Sequence, residues 1–438
     1  MRRKIYSDLL EWKKSPDRKP LLLQGARQTG KTYILNVFGK QEYANVAYCN
    51  FESDRNLGDF FQDGLDPDGI AGKISNYKRK EIIPGKTLLI FDEIQACPEA
   101  MTSLKYFCEG RPDIHIAASG SLLGVSVFRG NMSFPVGKVD FKTMLPLDFE
   151  EFLEAMGEEY LVERVRSCYN DNCAMEEAFH AKLLDLYRKY VFTGGMPEAV
   201  MTFQSTGLPE LARDKQTGIL NAYFNDMAKY NSSSQIPKVR AIFKSISVQL
   251  SRENRKFKYA DLKSGGRARD YEQSASWLCE SGIADRAYCI SEPLVPLESR
   301  SSQSDFKFYM NDVGLCCASQ LLLYDDIMHM DDCQANGLAE DFKGGLAENY
   351  VFCQLKSNGL RPYYWKSGNT AEVDFIVRIG RDIIPIEVKS GTNVRSKSLD
   401  VYASKYHPAY AIRLSARNFG FDGRVKSVPL YAAFCIGG

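Results

Sequence analysis

Long apolar runs are missing from this chain of 438 residues. No stretch approaches the roughly 20 apolar residues that a membrane-spanning helix requires. The basic segment Met1–Tyr6 is followed by polar residues and not by the apolar core of a signal peptide. The sequence therefore predicts no membrane association and a location in the cytoplasm.

Histidine is scarce, with four residues in the whole chain, which argues against histidine-based catalysis or metal binding. Cysteine is more common, with 12 residues, but no C-x-x-C pair occurs. The spacing of Cys168, Cys173 and His180 fits no common zinc pattern. Free and mostly buried thiols in a reducing compartment are the better interpretation. A net charge of +1 and an apolar fraction of 44% are those of an ordinary globular protein.

A complete G-x-x-x-x-G-K-[ST] motif lies near the N-terminus, after the apolar run Leu21–Leu23 and before a segment that can form a helix. This strand–loop–helix context is what a phosphate-binding loop requires, because backbone N–H groups and the helix N-terminus then face the phosphates. The motif predicts ATP binding by Gly25, Ala26, Arg27, Gln28, Thr29, Gly30, Lys31 and Thr32.

Two acidic residues follow a second apolar run, Thr87–Phe91. In such a site Lys31 would reach the β- and γ-phosphates, and Thr32 with Asp92 would hold Mg²⁺. Glu93 is placed to act as the general base that polarises the attacking water. A third apolar strand ends at Ser119, which could sense the γ-phosphate or the water; an ordinary Ser-Gly turn is the alternative.

The pattern of apolar segments predicts an α/β protein with four regions. Residues 1–145 would form a P-loop NTPase core with a parallel sheet, and residues 146–235 a helical lid. Residues 236–330 read as a winged helix, and residues 331–438 return to an α/β pattern.

The predicted winged helix is rich in basic residues. Between Lys238 and Arg269 there are ten Lys or Arg residues against Glu253 and Asp261, a local excess of eight positive charges. This excess favours DNA as a partner. The alternatives are a solvated basic face, or a winged helix that contacts protein.

The C-terminal region carries a second set of acidic residues. Asp374 precedes Glu387-x-Lys389 on the next strand of a hairpin, and alternation places residues 387 and 389 on one face. Asp374 and Glu387 would hold Mg²⁺, Lys389 would orient water, and Glu348 would complete the cluster. The alternative is a set of surface ion pairs.

Taken in order, these motifs resemble the prokaryotic AAA-type ATPases that carry a C-terminal domain of restriction-endonuclease-like, PD-(D/E)XK, fold. The resemblance covers nearly the whole chain and rests on residues 25–32, 91–95, 119–121, 145–152, 194–197, 307–315, 372–375 and 387–389. It implies ATP binding and hydrolysis, a helical lid, a winged helix and a nuclease-like tail. Lys138 stands where family members often have an arginine, and Arg27 and Arg129 are other candidate phosphate contacts.

Two classes of function are open from the sequence. The first is an ATPase coupled to DNA through the winged helix and the tail. The second is a slow nucleotide-dependent switch or scaffold, whose tail lacks nuclease activity and binds a partner. The sequence also leaves open whether that partner is a second copy of the chain or another protein.

Overall fold

The computed structural model describes residues 2–120, 135–330, 337–368, 371–392 and 397–438. These residues cluster into two compact units. The N-terminal unit comprises Arg2–Leu145 and Glu280–Gly282. The C-terminal unit comprises Pro146–Cys279 and Ile283–Gly438, and it thus contains the three regions predicted after residue 145 except residues 280–282. The division into lid, winged helix and tail within it stays a prediction.

The N-terminal unit is built on a parallel sheet with the order β2-β3-β4-β1-β5 among the described strands. Its strands are β1 Leu21–Gln24, β2 Asn45–Asn50, β3 Thr87–Asp92, β4 His115–Gly120 and β5 Asp140–Thr143. Its helices are α1 Ile5–Lys14, α2 Lys31–Glu42, α3 Pro67–Lys78 and α4 Pro98–Gly110. Every residue of β3 and β4 is buried, as expected for strands covered on both faces. The predicted parallel P-loop sheet is confirmed.

Helices dominate the first part of the C-terminal unit. They are α5 Phe149–Ala155, α6 Glu159–Asp171, α7 Glu177–Thr193, α8 Pro197–Thr206, α9 Pro209–Lys229, α10 Ile236–Leu250 and α11 Ala268–Glu280. The side chain of Asp148 accepts from the N–H of Glu151 and caps α5. Phe149 then packs edge-on against Tyr190 of α7 and Tyr350 of a later helix, so these helices share one aromatic core.

A mixed sheet forms the rest of the C-terminal unit, with the order β12-β13-β11-β10-β9-β8-β6-β7. Its strands are β6 Ala284–Ile290, β7 Ser301–Met310, β8 Tyr363–Ser367, β9 Ala371–Ile379, β10 Asp382–Val388, β11 Ala411–Ser415, β12 Gly420–Phe421 and β13 Val425–Pro429. The remaining helices are α12 Val313–Ser319, α13 Tyr324–Met328, α14 Glu340–Ser357 and α15 Lys397–Tyr406. No helix within the described ranges is long and apolar enough to cross a bilayer.

The two strands predicted for the wing are β6 and β7, and they pair antiparallel. The sheet extends beyond these two strands, because β6 also pairs in parallel with β8 through Cys289 and Ile290. The strands of the predicted winged helix and those of the tail therefore form one continuous sheet. Alternation along each strand cannot reveal this, since pairing between distant strands is decided by tertiary packing.

Three sequence segments meet at what we call the Gly195 joint, formed by Leu147, Gly195 and Asp312. The N–H of Leu147 donates to the carbonyl of Gly195 at 2.7 Å. The N–H of Gly195 donates to Oδ2 of Asp312 at 2.6 Å. A Cβ on Gly195 would lie 1.9 Å from the carbonyl oxygen of Leu147, so no larger residue fits without movement. The joint ties the start of α5 to the start of α8 and α12.

Candidate functional site

The phosphate-binding loop connects β1 to α2 and folds as the motif predicts. Gly30 precedes α2 in the left-handed region, with φ of 93°. Gly25 has φ of 151°, and a Cβ there would lie 2.2 Å from the carbonyl oxygen of Met144. Glycine is therefore required where the loop passes this neighbouring backbone.

Lys31 lies inside the loop with its side chain buried. Its Nζ donates to the carbonyl oxygens of Gly25 at 2.9 Å and Ala26 at 2.8 Å. Burial lowers the pKa of Lys31 to about 8, against the opposing effect of Glu93 and Asp92. An ammonium that is already desolvated in this position can form a strong charge-assisted hydrogen bond to an anion such as a phosphate.

Asp92, at the end of β3, is the centre of a network of hydroxyl and amide donors. Its Oδ2 accepts from Oγ1 of Thr32 at 2.9 Å, from the hydroxyl of Tyr48 at 2.6 Å and from Nδ2 of Asn50 at 3.3 Å. Burial and this bond to Asp92 raise the pKa of Tyr48 to about 12. The adjacent hydroxyl of Thr32 and carboxylate of Asp92 are the hard oxygen donors that Mg²⁺ prefers, so this donor set fits the ion.

Ser119 reaches the same carboxylate from the neighbouring strand. Its hydroxyl donates to Oδ1 of Asp92 at 2.5 Å, because β4 lies between β3 and β1. Glu93 follows Asp92 in the left-handed region, with φ of 52°. Its Oε2 accepts from Nε2 of Gln95 at 2.5 Å. The structure thus brings Lys31, Thr32, Asp92, Glu93 and Ser119 together; their catalytic roles stay predictions.

Sequence reasoning missed Tyr48 and Asn50. Both lie on β2, which pairs with β3 so that Asn50 is opposite Asp92. Polar residues at the end of a strand were the only signal in the sequence, which does not show that this strand pairs with β3. Of the candidate phosphate contacts, Lys138 pairs with Glu109 at 3.0 Å, whereas Arg129 lies outside the described residues.

The C-terminal unit brings together all four residues predicted for its site. Asp374 lies on β9 and Glu387 on β10, and Oδ2 of Asp374 accepts from the N–H of Val388 at 2.8 Å. Nζ of Lys389 lies 2.7 Å from Oε1 of Glu387. Glu348, on α14, is buried and faces the same group. The hairpin predicted from Asp374 and Glu387-x-Lys389 is therefore present.

Residues that were not predicted as members of the site complete this group. Lys307 on β7 is fully buried, and its Nζ lies 2.6 Å from Oε1 of Glu372, 3.2 Å from Oε2 of Glu348 and 3.7 Å from Oδ1 of Asp374. Arg255 forms an ion pair with Oε1 of Glu348. Glu372 could have been found, because it lies two residues before Asp374 on the same strand and so on the same face.

We call Glu348, Glu372, Asp374 and Glu387 the carboxylate cluster. Burial works against the charge of Glu348, but Arg255 and Lys307 outweigh it and lower its pKa to about 2. Burial, with the neighbouring carboxylates, raises the pKa of Asp374 well above its ordinary value. Within the described ranges, no group of three or more His, Cys, Asp or Glu residues is arranged to hold a metal ion.

Two cations of the basic stretch form ion pairs with acidic residues that are distant in the chain. Arg255 pairs with Glu348, and Lys256 lies 3.1 Å from Asp305. The cations that are exposed around the turn before α11 are Lys263, Arg267 and Arg269. The net excess counted along the sequence therefore overstates the positive charge available to a ligand.

Three segments of the chain match models of known families. Residues 17–153 match a family described as an AAA domain. Residues 184–325 match a domain of unknown function (DUF8612), and residues 343–433 another (DUF4143). No curated protein matches the sequence. The family match agrees with the P-loop type of parallel sheet that the N-terminal unit forms.

Solved structures similar to the chain include a Walker-type ATPase of Pyrococcus abyssi, at 13% identity over 73% of this chain and 95% of that one, with a TM-score of 0.46. The ORC2 protein of Aeropyrum pernix, in ADPNP and ADP complexes, has 13% identity over 76% and 93%, with a TM-score of 0.35. The RuvB branch migration motor of Thermotoga maritima has 15% identity over 65% and 88%, with a TM-score of 0.30. No assignment rests on likenesses this distant.

Proposed function

We propose that the chain binds ATP with Mg²⁺ and hydrolyses it in the N-terminal unit. The observation that supports this most directly is the network on Asp92, which gathers Thr32 from the loop and Ser119 from β4 around one carboxylate. An AAA-type domain at residues 17–153 agrees with it. A structural role for so many polar groups at the ends of neighbouring strands is the weaker explanation, because Lys31 is also buried beside them.

Each residue of the site has a distinct task in this proposal. Lys31 binds the β- and γ-phosphates, and Thr32 with Asp92 would hold Mg²⁺, which when bound neutralises phosphate charge. Glu93 accepts the proton of the attacking water as general base. Gln95 donates to its Oε2 at 2.5 Å and so orients the carboxylate of Glu93. Ser119 orients Asp92.

The test compares ATP turnover in Mg²⁺ by the wild type, Glu93→Gln and Lys31→Ala. We expect Glu93→Gln to keep nucleotide affinity but to lose turnover, because the amide cannot take up the proton. We expect Lys31→Ala to bind at least about tenfold more weakly, since one charge-assisted hydrogen bond contributes about 1.5–3 kcal/mol. Glu81→Gln, at an exposed position in the same unit, is the matched control. Equal turnover by the wild type and Glu93→Gln would remove Glu93 from the mechanism.

We further propose that ATP turnover is coupled to DNA through a winged helix in the C-terminal unit. The helix α10, a short helix at Tyr259–Asp261, α11 and the strands β6 and β7 follow each other as such a domain requires. The three exposed cations before and within the first turn of α11 support a phosphate contact there. In the same proposal, β8 to β11 with α14 form a restriction-endonuclease-like fold.

DNA binding is tested by reversing the charge of Arg267 and Arg269 to glutamate. If both contact phosphates, affinity falls and the slope of log K against log salt becomes shallower by about 1.8. The double variant Lys40→Glu with Lys86→Glu makes the same change in net charge at exposed positions of the N-terminal unit and is the control. Equal slopes in both double variants would exclude this surface. If DNA does not change the rate of ATP turnover, a nucleotide-dependent switch that acts on a protein partner is favoured instead.

A further inference from the structure

The carboxylate cluster of the C-terminal unit carries its own cations. Its four carboxylates are matched by three positive groups, Arg255, Lys307 and Lys389, each within an ion-pair distance of at least one of them. A divalent cation in a phosphodiester-cleaving site balances carboxylates that would otherwise repel each other. Here the balance is already nearly complete without one, with a formal charge of −1 when every group is ionised.

Lys307 differs from Lys389 in its burial. Lys389 follows β10 and is about a third exposed, so its ammonium can turn away from Glu387 into water. Lys307 is fully buried on β7. A buried ammonium is retained only while acidic partners surround it, and Glu348, Glu372 and Asp374 do so at 2.6–3.7 Å. Lys307 is therefore a permanent member of the cluster.

Three of the oxygens that could ligate a metal are engaged by protein groups. Glu348 is engaged on both oxygens, since Arg255 contacts Oε1 while Nζ of Lys307 and the hydroxyl of Tyr309 contact Oε2, the latter at 2.9 Å. Asp374 uses Oδ2 for the N–H of Val388. A dication at this point would be placed beside a fixed ammonium.

We propose that the ammonium of Lys307 takes the position of the metal ion in the carboxylate cluster, so that this nuclease-like domain binds no divalent cation there and does not cleave phosphodiesters by a metal-dependent route. The cluster instead fastens β7, β9 and α14 to each other and to the segment that carries Arg255. The inference is independent of ATP hydrolysis in the N-terminal unit.

The experiment measures Mn²⁺ binding to the full chain by electron paramagnetic resonance in the absence of nucleotide. Four proteins are compared: the wild type, Asp374→Asn, Lys307→Met and the double variant. We expect the wild type and Asp374→Asn to bind equal amounts of Mn²⁺, from sites elsewhere. We expect Lys307→Met, which keeps an unbranched side chain and removes the charge, to gain one site that the double variant lacks.

Two results would overturn the proposal. The first is Mn²⁺ bound by the wild type but lost in Asp374→Asn, or Mg²⁺-dependent cleavage of DNA that Asp374→Asn abolishes. The second is a folded Lys307→Met protein that gains no site. Should Lys307→Met fail to fold, the comparison of the wild type with Asp374→Asn still decides, because it involves no change at Lys307. The ATP turnover assay reads a different unit, so failure of one proposal is distinguishable from failure of the other.

Discussion

The stability of the C-terminal unit should respond to pH through Asp312. This carboxyl is buried and accepts from the N–H groups of Gly195 and Leu315, at 2.6 and 2.7 Å. Burial raises its pKa from 3.8 to about 6, although these N–H groups act in the opposite direction. The ionised form is therefore the costly one in the folded state.

The groups that face Asp312 do not offset this charge. They are Tyr190, Cys316, Cys317 and Cys353, and burial raises the pKa of each above its ordinary value. All four are neutral between pH 4 and pH 8, so these groups leave the charge of Asp312 uncompensated in that range. The pH response should come from Asp312 itself.

The sign follows from the direction of the shift. A carboxyl whose pKa is higher in the folded than in the unfolded chain contributes stability below about pH 4, and this contribution is lost as the pH rises through about 6. A shift of about two units corresponds to ~3 kcal/mol in full, of which ~1.4 kcal/mol is present at pH 5 and nearly none at pH 7.

The assay is urea unfolding of the wild type and of Asp312→Asn at pH 5 and pH 7. Both carry Trp12→Phe, which leaves Trp277 and Trp365 as the tryptophans and so reports on the C-terminal unit. The unfolding free energy of the wild type minus that of Asp312→Asn should be ~1.4 kcal/mol larger at pH 5 than at pH 7. Asp214→Asn, on the exposed side of α9, should show no such change. A difference between wild type and Asp312→Asn that is the same at both pH values would refute the reasoning.

Two further predictions follow from single contacts. Tyr48→Phe removes the donor at 2.6 Å from Asp92, and we expect ~1 kcal/mol lower stability together with slower ATP turnover at unchanged nucleotide affinity. A turnover equal to wild type would show that Tyr48 does not position Asp92. Gly195→Ala places a Cβ 1.9 Å from the carbonyl of Leu147, and we expect a loss of more than 3 kcal/mol in urea unfolding. Gly207→Ala, at a φ of 67° but with open space around it, should lose only ~1 kcal/mol; similar losses in the two variants would contradict the steric argument.

Much of the proposed nucleotide site could be predicted from the sequence alone. A motif of eight residues fixes the loop, because its glycines, lysine and threonine each meet a local need of backbone or phosphate. The acidic pair Asp92 and Glu93 follows an apolar run that can only be a buried strand. The position of Ser119 beside Asp92 was expected for the same reason, since parallel strands end at one edge. Tyr48 and Asn50 were missed, because nothing local shows that β2 neighbours β3.

The sequence by itself determined the strands β1, β3 and β4 of the nucleotide site, since apolar runs and the glycines of the loop bound them. It also placed Asp374, Glu387 and Lys389 on one hairpin. Only the tertiary structure decided that Lys307 and Arg255 enter the carboxylate cluster, that β6 continues the sheet of the tail through β8, and that the Gly195 joint unites three segments. Charge balance and burial depend on residues that are distant in the chain, and no local pattern encodes which of them will meet.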